Sequence, residues 1–359
     1  MSVAFIQSRR PAVLILMAHA FSESMTKPHA IIFSSGKSHP IAEAVKENLE
    51  MRGFTADTWK ENFFDSNNTA PLNTFLKKLL CFDFAVLVLG DDDIRFDAAS
   101  GTGVPIPRDN VIFELGAAMA RMGTQKTFLI TPSERRVVLP TYFKGLDPLT
   151  YEIRADGNHV AGTGTACTHI RNRINALDQD AFHSDLPALG LSYGYFFNFV
   201  RPIHETLLEP QRVMFAEGED PWLPEHGFTL SIVIPEKLMN RRAADEFLHL
   251  EMHAANVHVQ LKDGRDVSVY ALSRKHAATP LHILDIPTTL LTSEKVIHRV
   301  DSFWGGGDRD FRERLTRREL ATFGRRIRGL IEEEQLNQTK IRVIEIAGLA
   351  AHVAELTRN

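Results

Sequence analysis

The segment 108–116, RDNVIFELG, sets one carboxylate, Glu114, between apolar Phe113 and Leu115 early in a stretch with helical spacing. An acid flanked this way needs a use for its charge, because burying an unpaired carboxylate is costly. One use is to lie against a sugar, orient its hydroxyls and stabilise the positive charge of an oxocarbenium-like ribose as a glycosidic bond breaks. The plainer alternative is an ordinary helical acid, behind an Arg108–Asp109 pair with Asp109 or Asn110 as helix cap. Spacing alone leaves both open. Ser35, Gly36 and Lys37 offer backbone N–H groups and an ammonium to a pyrophosphate, Trp59 and Phe64 offer aromatic faces to a ring, and Arg108 and Asp109 are further candidate contacts to the same nucleotide.

A second set of residues has a different chemistry. Tyr195 and Phe199 lie four apart, on one face of an expected helix. Asp285 and Thr289 follow an apolar run, and Arg265 stands at the tip of an Asp263–Gly264 turn, with Arg274 as the alternative arginine. An aromatic face, a carboxylate and an arginine fork suit guanine: the carboxylate accepts from N1–H and N2–H2, where adenine would present an acceptor.

Positioning these groups requires two kinds of scaffold. From His29 short apolar strands alternate with amphipathic helices, which predicts a parallel sheet covered on both faces. Strands are expected at 30–34, 54–59, 84–89, 127–130 and 151–153, and helices at 40–52, 72–80, 110–121 and 165–177. Residues 90–107 read as a polar loop. Ser35–Ser38, Trp59 with Phe64, Asp91–Asp93 and Glu114 then fall at the carboxyl ends of strands, where such sheets bind ligands. Residues 178–187 lack periodicity and read as a linker. The second half predicts an α+β unit with a helix at 191–208, strands at 229–234, 257–262, 267–272 and 281–286, and a closing helix with Leu320, Phe323, Ile327 and Leu330 on one stripe. The division expected is a leader at 1–27, domains at 28–177 and 188–347, and a tail at 348–359.

Composition narrows the function classes. With 359 residues, 44% hydrophobic and 24% charged, the chain suits two soluble domains, and no apolar run approaches a membrane span. A net charge of −4 argues against nucleic acid as a partner. Cys81 and Cys167 form no metal spacing and fit a reducing cytoplasm, the expected location. Arg9, Arg10 and the apolar stretch after them loosely resemble a secretion signal, but Met25-Thr26-Lys27-Pro28 reads as a natural start. His249 and His253 lie one turn apart outside the HExxH order, so no metal is expected. The arginines from Arg309 to Arg328, interleaved with Glu313 and Glu319, read as the charged face of a solvated amphipathic helix.

The run AIIFSSGKS, the strand and loop FAVLVLGDDD, and PRDNVIFELG with Gly123 and TFLI resemble the TIR-like domains of bacterial antiphage proteins. The resemblance implies a flavodoxin-like TIR fold and hydrolysis of NAD+ to nicotinamide and ADP-ribose, with Glu114 matching the family's catalytic glutamate and no further cofactor. GLSYGYFFNFVRP, LDIPTT and the final helix after Phe303–Phe311 resemble a bacterial STING domain. That implies an α+β dimeric ligand-binding domain holding one cyclic dinucleotide from a cognate cyclase, cyclic di-GMP in the bacterial members. Phe199 matches the stacking aromatic, Asp285 and Thr289 the base contacts, and Arg265 the lid arginine. Ligand binding is expected to assemble dimers into a filament and so switch on the TIR domain. The rivals are a TIR scaffold without catalysis and an enzyme of this fold acting on other nucleotides.

Overall fold

The computed structural model describes residues 27–59, 71–96, 101, 103–134, 147–177, 187–208, 223–272, 279–336 and 340–357. The chain divides into two compact units, 27–178 and 179–302 with 308–359. All but the last residue of the expected leader at 1–27 and nearly all of the expected linker lie outside the described residues.

The first unit is built on five parallel strands, β1 (His29–Ser34), β2 (Thr55–Thr58), β3 (Phe84–Val88), β6 (Thr127–Pro132) and β7 (Leu149–Tyr151), in the order β2-β1-β3-β6-β7. Every residue of β3 and β6 is buried, as an apolar strand with covered faces requires. Helices α1 (His39–Glu50), α2 (Pro71–Leu79), α3 (Asp109–Met122) and α4 (His159–Ala176) complete the unit. Because the chain runs from β1 outward to β2 and then returns to β3, the strand order reverses between β1 and β3, and the carboxyl ends of strands at such a reversal are where sheets of this kind bind ligands. Asn48 and Arg52 tie α1 to α4: Asn48 Nδ2 donates to Thr163 Oγ1 at 3.0 Å and Arg52 Nη2 to the Gly164 carbonyl at 3.0 Å.

The expected polar loop at 90–107 contains structure. Residues Asp93–Phe96 (β4) and Gly103–Ile106 (β5) pair antiparallel as a separate two-stranded ribbon. Its alternation is too short, and its Ile94 and Phe96 too exposed, to have stood out as strands.

The second unit carries a mixed sheet in the order β12-β8-β11-β10-β9, formed by β8 (Phe228–Ile234), β9 (Ala254–Gln260), β10 (Asp266–Leu272), β11 (Leu281–Asp285) and β12 (Ile341–Glu345). β9 and β10 form the expected hairpin at Asp263–Gly264, where Gly264 takes φ +86°, a backbone region that favours glycine. The core joins Phe196, Val200 and Ile203 to Leu230 and Ile232 of the sheet and to Leu320, Phe323, Ile327 and Leu330, the stripe read from the sequence.

The expected helix at 191–208 begins earlier and is interrupted. It runs as α5 (Pro187–Tyr195), a π-turn (Phe196–Val200) in which the Arg201 N–H reaches the Phe196 carbonyl, and α6 (Arg201–Leu207). Elements that the sequence left unassigned are α7 (Arg241–Glu246) with a second π-turn (Phe247–Glu251), α8 (Leu291–Phe303) and β12. Of the stretch expected as a tail at 348–359, residues 348–356 belong to α10 (Ile346–Leu356), which buries Leu349.

The long helix α9 (Arg309–Glu333) corrects the solvated-helix reading. Arg309–Glu313 and Arg314–Asp310 do pair along an exposed face, but Glu319 and Arg326 are buried. Arg326 gives up water for the Glu333 carboxylate at 2.7 and 2.9 Å and for the ring and hydroxyl of Tyr193.

Candidate functional site

Glu114 lies on the core-facing stripe of α3, with Val111, Leu115, Ala118 and Met122, and only 7% of its surface is exposed. The α3 entrance differs from the plainer reading. Arg108 is the capping residue and makes no side-chain cap bond, while the Asn110 side chain accepts from the Val111 N–H at 2.9 Å. Asp109 stands in the first turn, where a negative charge suits the helix dipole. Arg108 reaches Asp93 at 3.8 Å rather than Asp109, which joins the start of α3 to the segment after β3.

At the strand reversal, the residues after β1 and β3 interlock. Ser35 Oγ donates to Asp92 Oδ1 at 2.7 Å and accepts from the Ser38 N–H at 3.2 Å. Lys37 Nζ donates to Asp91 Oδ1 at 3.1 Å and to the Asp91 carbonyl at 3.3 Å. Gly90 makes this approach possible, since a Cβ there would meet Ser38 Oγ at 2.5 Å and the Asp92 carboxylate oxygens at 3.1 and 3.2 Å. The ammonium offered to a pyrophosphate is thus held by a carboxylate.

Trp59 is mostly buried, its ring against Phe33 at 5.9 Å and Phe75 at 5.2 Å, and Phe75 continues the cluster to Phe113 at 5.9 Å. Trp59 is therefore part of the packed core, and Phe113 is the exposed aromatic of this cluster. Phe64 lies outside the described residues.

In the second unit Tyr195 stacks on Phe199 with ring centroids 5.1 Å apart and planes at 28°. The Tyr195 hydroxyl donates to Asp285 Oδ2 at 2.6 Å. Burial pushes the Asp285 carboxyl up to about 6 although this hydrogen bond favours the charged form, and Asp245 nearby adds repulsion. Burial first, then the adjacent Asp285, raises the Tyr195 phenol, so it stays a donor. Thr289 is exposed in the short 3-10 turn Thr288–Leu290, directly after β11 and Asp285.

Arg265 comes to the same place from the hairpin. Its Nε donates to Asp263 Oδ2 at 2.8 Å, and Nη1 donates to the Asn198 carbonyl at 3.1 Å, one residue before Phe199. That carbonyl is available for a local reason. Pro202, one turn on, has no N–H to give it. The π-turn and Pro202 thus present both the aromatic and the acceptor that meets the arginine, a device sequence periodicity does not reveal; π-turns recur at functional sites. Arg274 lies outside the described residues.

Among the described residues no cluster of histidine, cysteine or carboxylate side chains is placed to hold a metal ion, and no helix is long and apolar enough to cross a membrane.

Comparison with known proteins matches residues 30–152 to the TIR domain of CAP12/Pycsar effector proteins and residues 187–328 to the prokaryotic STING domain. CD-NTase-associated protein 12 of Flavobacterium daejeonense is 26% identical over 325 residues, covering 89% of this chain and 99% of that protein. Pycsar effector protein PaPycTIR of Pseudomonas aeruginosa is 33% identical over 168 residues, 46% of this chain and 51% of its own. A solved bacterial STING in complex with c-di-GMP aligns at 24% identity with a TM-score of 0.39, over 45% of this chain and 95% of that one. The first unit thus carries a TIR domain of the CAP12/Pycsar effector type, and the second, following it on the same chain, a prokaryotic STING domain.

Proposed function

We propose that this chain is a ligand-switched antiphage effector: its STING unit binds a cyclic dinucleotide, foremost cyclic di-GMP, as a homodimer, and the ensuing assembly starts hydrolysis of NAD+ by the TIR unit. The relatives named CD-NTase-associated protein 12 support a cyclase as the source of the ligand. The observation that carries the catalytic half is Glu114, a carboxylate on the apolar stripe of α3, a helix whose start Arg108 ties to Asp93 in the segment after β3.

Nicotinamide leaves NAD+ as a neutral base, so the leaving group needs little acid catalysis. The C1′–N1 bond breaks with its electron pair passing to nicotinamide, and the ribose becomes oxocarbenium-like. Glu114 orients the ribose hydroxyls and stabilises that charge until water bonds to C1′ and loses a proton, giving ADP-ribose. In the STING unit Phe199 stacks on a guanine, Asp285 accepts from its N1–H and N2–H2, and Arg265 exchanges the Asn198 carbonyl for the ligand's O6, N7 or phosphate. Thr289 adds a hydroxyl beside the base.

Glu114→Gln keeps shape and removes charge. Nicotinamide release in the presence of cyclic di-GMP is expected to fall by 100-fold or more, about 3 kcal/mol or more of transition-state stabilisation. A variant with unchanged release, or one that keeps the biological effect without release, points instead to a scaffold.

A further inference from the structure

Three acids follow β3, and they are not equivalent. Asp91 is matched by Lys37 at 3.1 Å and Asp93 by Arg108 at 3.8 Å. Asp92 has no cationic partner among the described residues; its Oδ1 takes the Ser35 hydroxyl, and its Oδ2 is buried without a hydrogen-bond partner. It sits over Gly90, at the carboxyl end of β3 where the strand order reverses, one residue from the Asp93 that ties this segment to the start of α3 and hence to the helix of Glu114. A neutral asparagine could accept the Ser35 hydroxyl equally well. The turn geometry therefore does not require an acid at this position, and the ammonium of the facing turn, Lys37, is committed to Asp91.

We propose that Asp92 is a specificity-determining residue of the NAD+ site: its carboxylate, without a cationic partner among the described residues, makes this end of the site prefer a cationic pyridinium riboside over a neutral dihydropyridine and disfavour a diphosphate. The proposal rests on the NAD+-cleaving reading and deepens it by orienting the substrate. The nicotinamide riboside lies at the β1–β3 reversal, and the diphosphate lies away from the 35–38 turn, contrary to the pyrophosphate role expected of Ser35, Gly36 and Lys37. A fixed charge several ångströms from the pyridinium in a medium of intermediate dielectric is worth on the order of tenfold in affinity.

The test is a ratio of affinities. Carba-NAD+, a cationic analogue that cannot be cleaved, and NADH, its neutral counterpart in charge at the ring, are titrated calorimetrically into full-length protein with cyclic di-GMP present. The wild type is expected to prefer carba-NAD+, and Asp92→Asn to lose on the order of tenfold of that preference while Asp92→Glu retains it. A purely structural role would affect both ligands alike. Should the asparagine variant fail to fold, Asp92→Ser, which also keeps a partner for Ser35, serves in its place. An unchanged ratio in the neutral variants overturns the proposal. Failure of the underlying reading looks different: wild-type protein would release no nicotinamide from NAD+, or Glu114→Gln would release it at the wild-type rate.

Discussion

At the scale of single residues, both candidate sites place a carboxylate where water is scarce, and for Asp285 the consequences are opposite in sign for binding and for stability. Asp285 has its carboxyl raised to about 6. Guanine recognition needs the ionised acceptor, so cyclic di-GMP affinity is expected to weaken as pH falls through about 6, by up to tenfold per unit. Affinity measured from pH 8 to 5 checks this, with Asp285→Asn expected to be weak and flat. For folding, burying the charged form costs stability above pH 6, and the cost disappears as pH falls below the carboxylate's ordinary value.

Glu319 shows the same sign in the core of the second unit. Burial raises its carboxyl to about 7, although the Ala188 N–H at 3.0 Å and the Ser293 hydroxyl at 3.3 Å favour the charge. Its Oε1 is buried without a partner among the described residues. The shift corresponds to a cost of about 3 kcal/mol above pH 7 that fades toward pH 4.5. Glu319→Gln keeps the acceptor for both donors and is expected to raise the melting temperature at pH 8 and leave it nearly unchanged at pH 5. A lower melting temperature at pH 8 would contradict this.

At the scale of elements, α4 docks on the chain after β7 through one glycine. The Glu152 N–H donates to the Gly162 carbonyl at 3.1 Å, and a Cβ on Gly162 would clash with the Glu152 carbonyl oxygen. Gly162→Ala is expected to cost about 1–3 kcal/mol and lower the TIR unit's melting temperature by several degrees. Cyclic di-GMP affinity of the STING unit is expected to stay unchanged.

The long, strongly periodic elements were legible in the sequence because burial writes them directly: β3 as FAVLV, and α9 as a stripe of Leu320, Phe323, Ile327 and Leu330. The β4–β5 ribbon, the π-turn at 196–200 and the β12–α10 end were not, since they rest on local backbone exceptions or on pairing with distant strands. The same holds at the sites. Glu114 stood out as an acid among apolar neighbours, and Tyr195, Phe199, Asp285 and Arg265 as the right residue types. Periodicity carries no trace of the Ser35–Asp92 bond, of the Tyr195–Asp285 bond, or of Arg265 resting on the Asn198 carbonyl.

At the scale of the whole molecule, a STING domain and a TIR domain on one chain make sense as a sensor joined to an output. On the proposed function, an enzyme that removes NAD+ from its own cell must be held off until a signal arrives, and a ligand can switch it only by binding the active arrangement better than the inactive one. The most direct test is nicotinamide release from NAD+ by full-length protein, titrated against a panel of cyclic dinucleotides with no ligand as the baseline. Release is expected to be near background without ligand and to rise steeply with cyclic di-GMP, less with adenine-containing ligands. Release that is independent of ligand, or absent with every member of the panel, would contradict it.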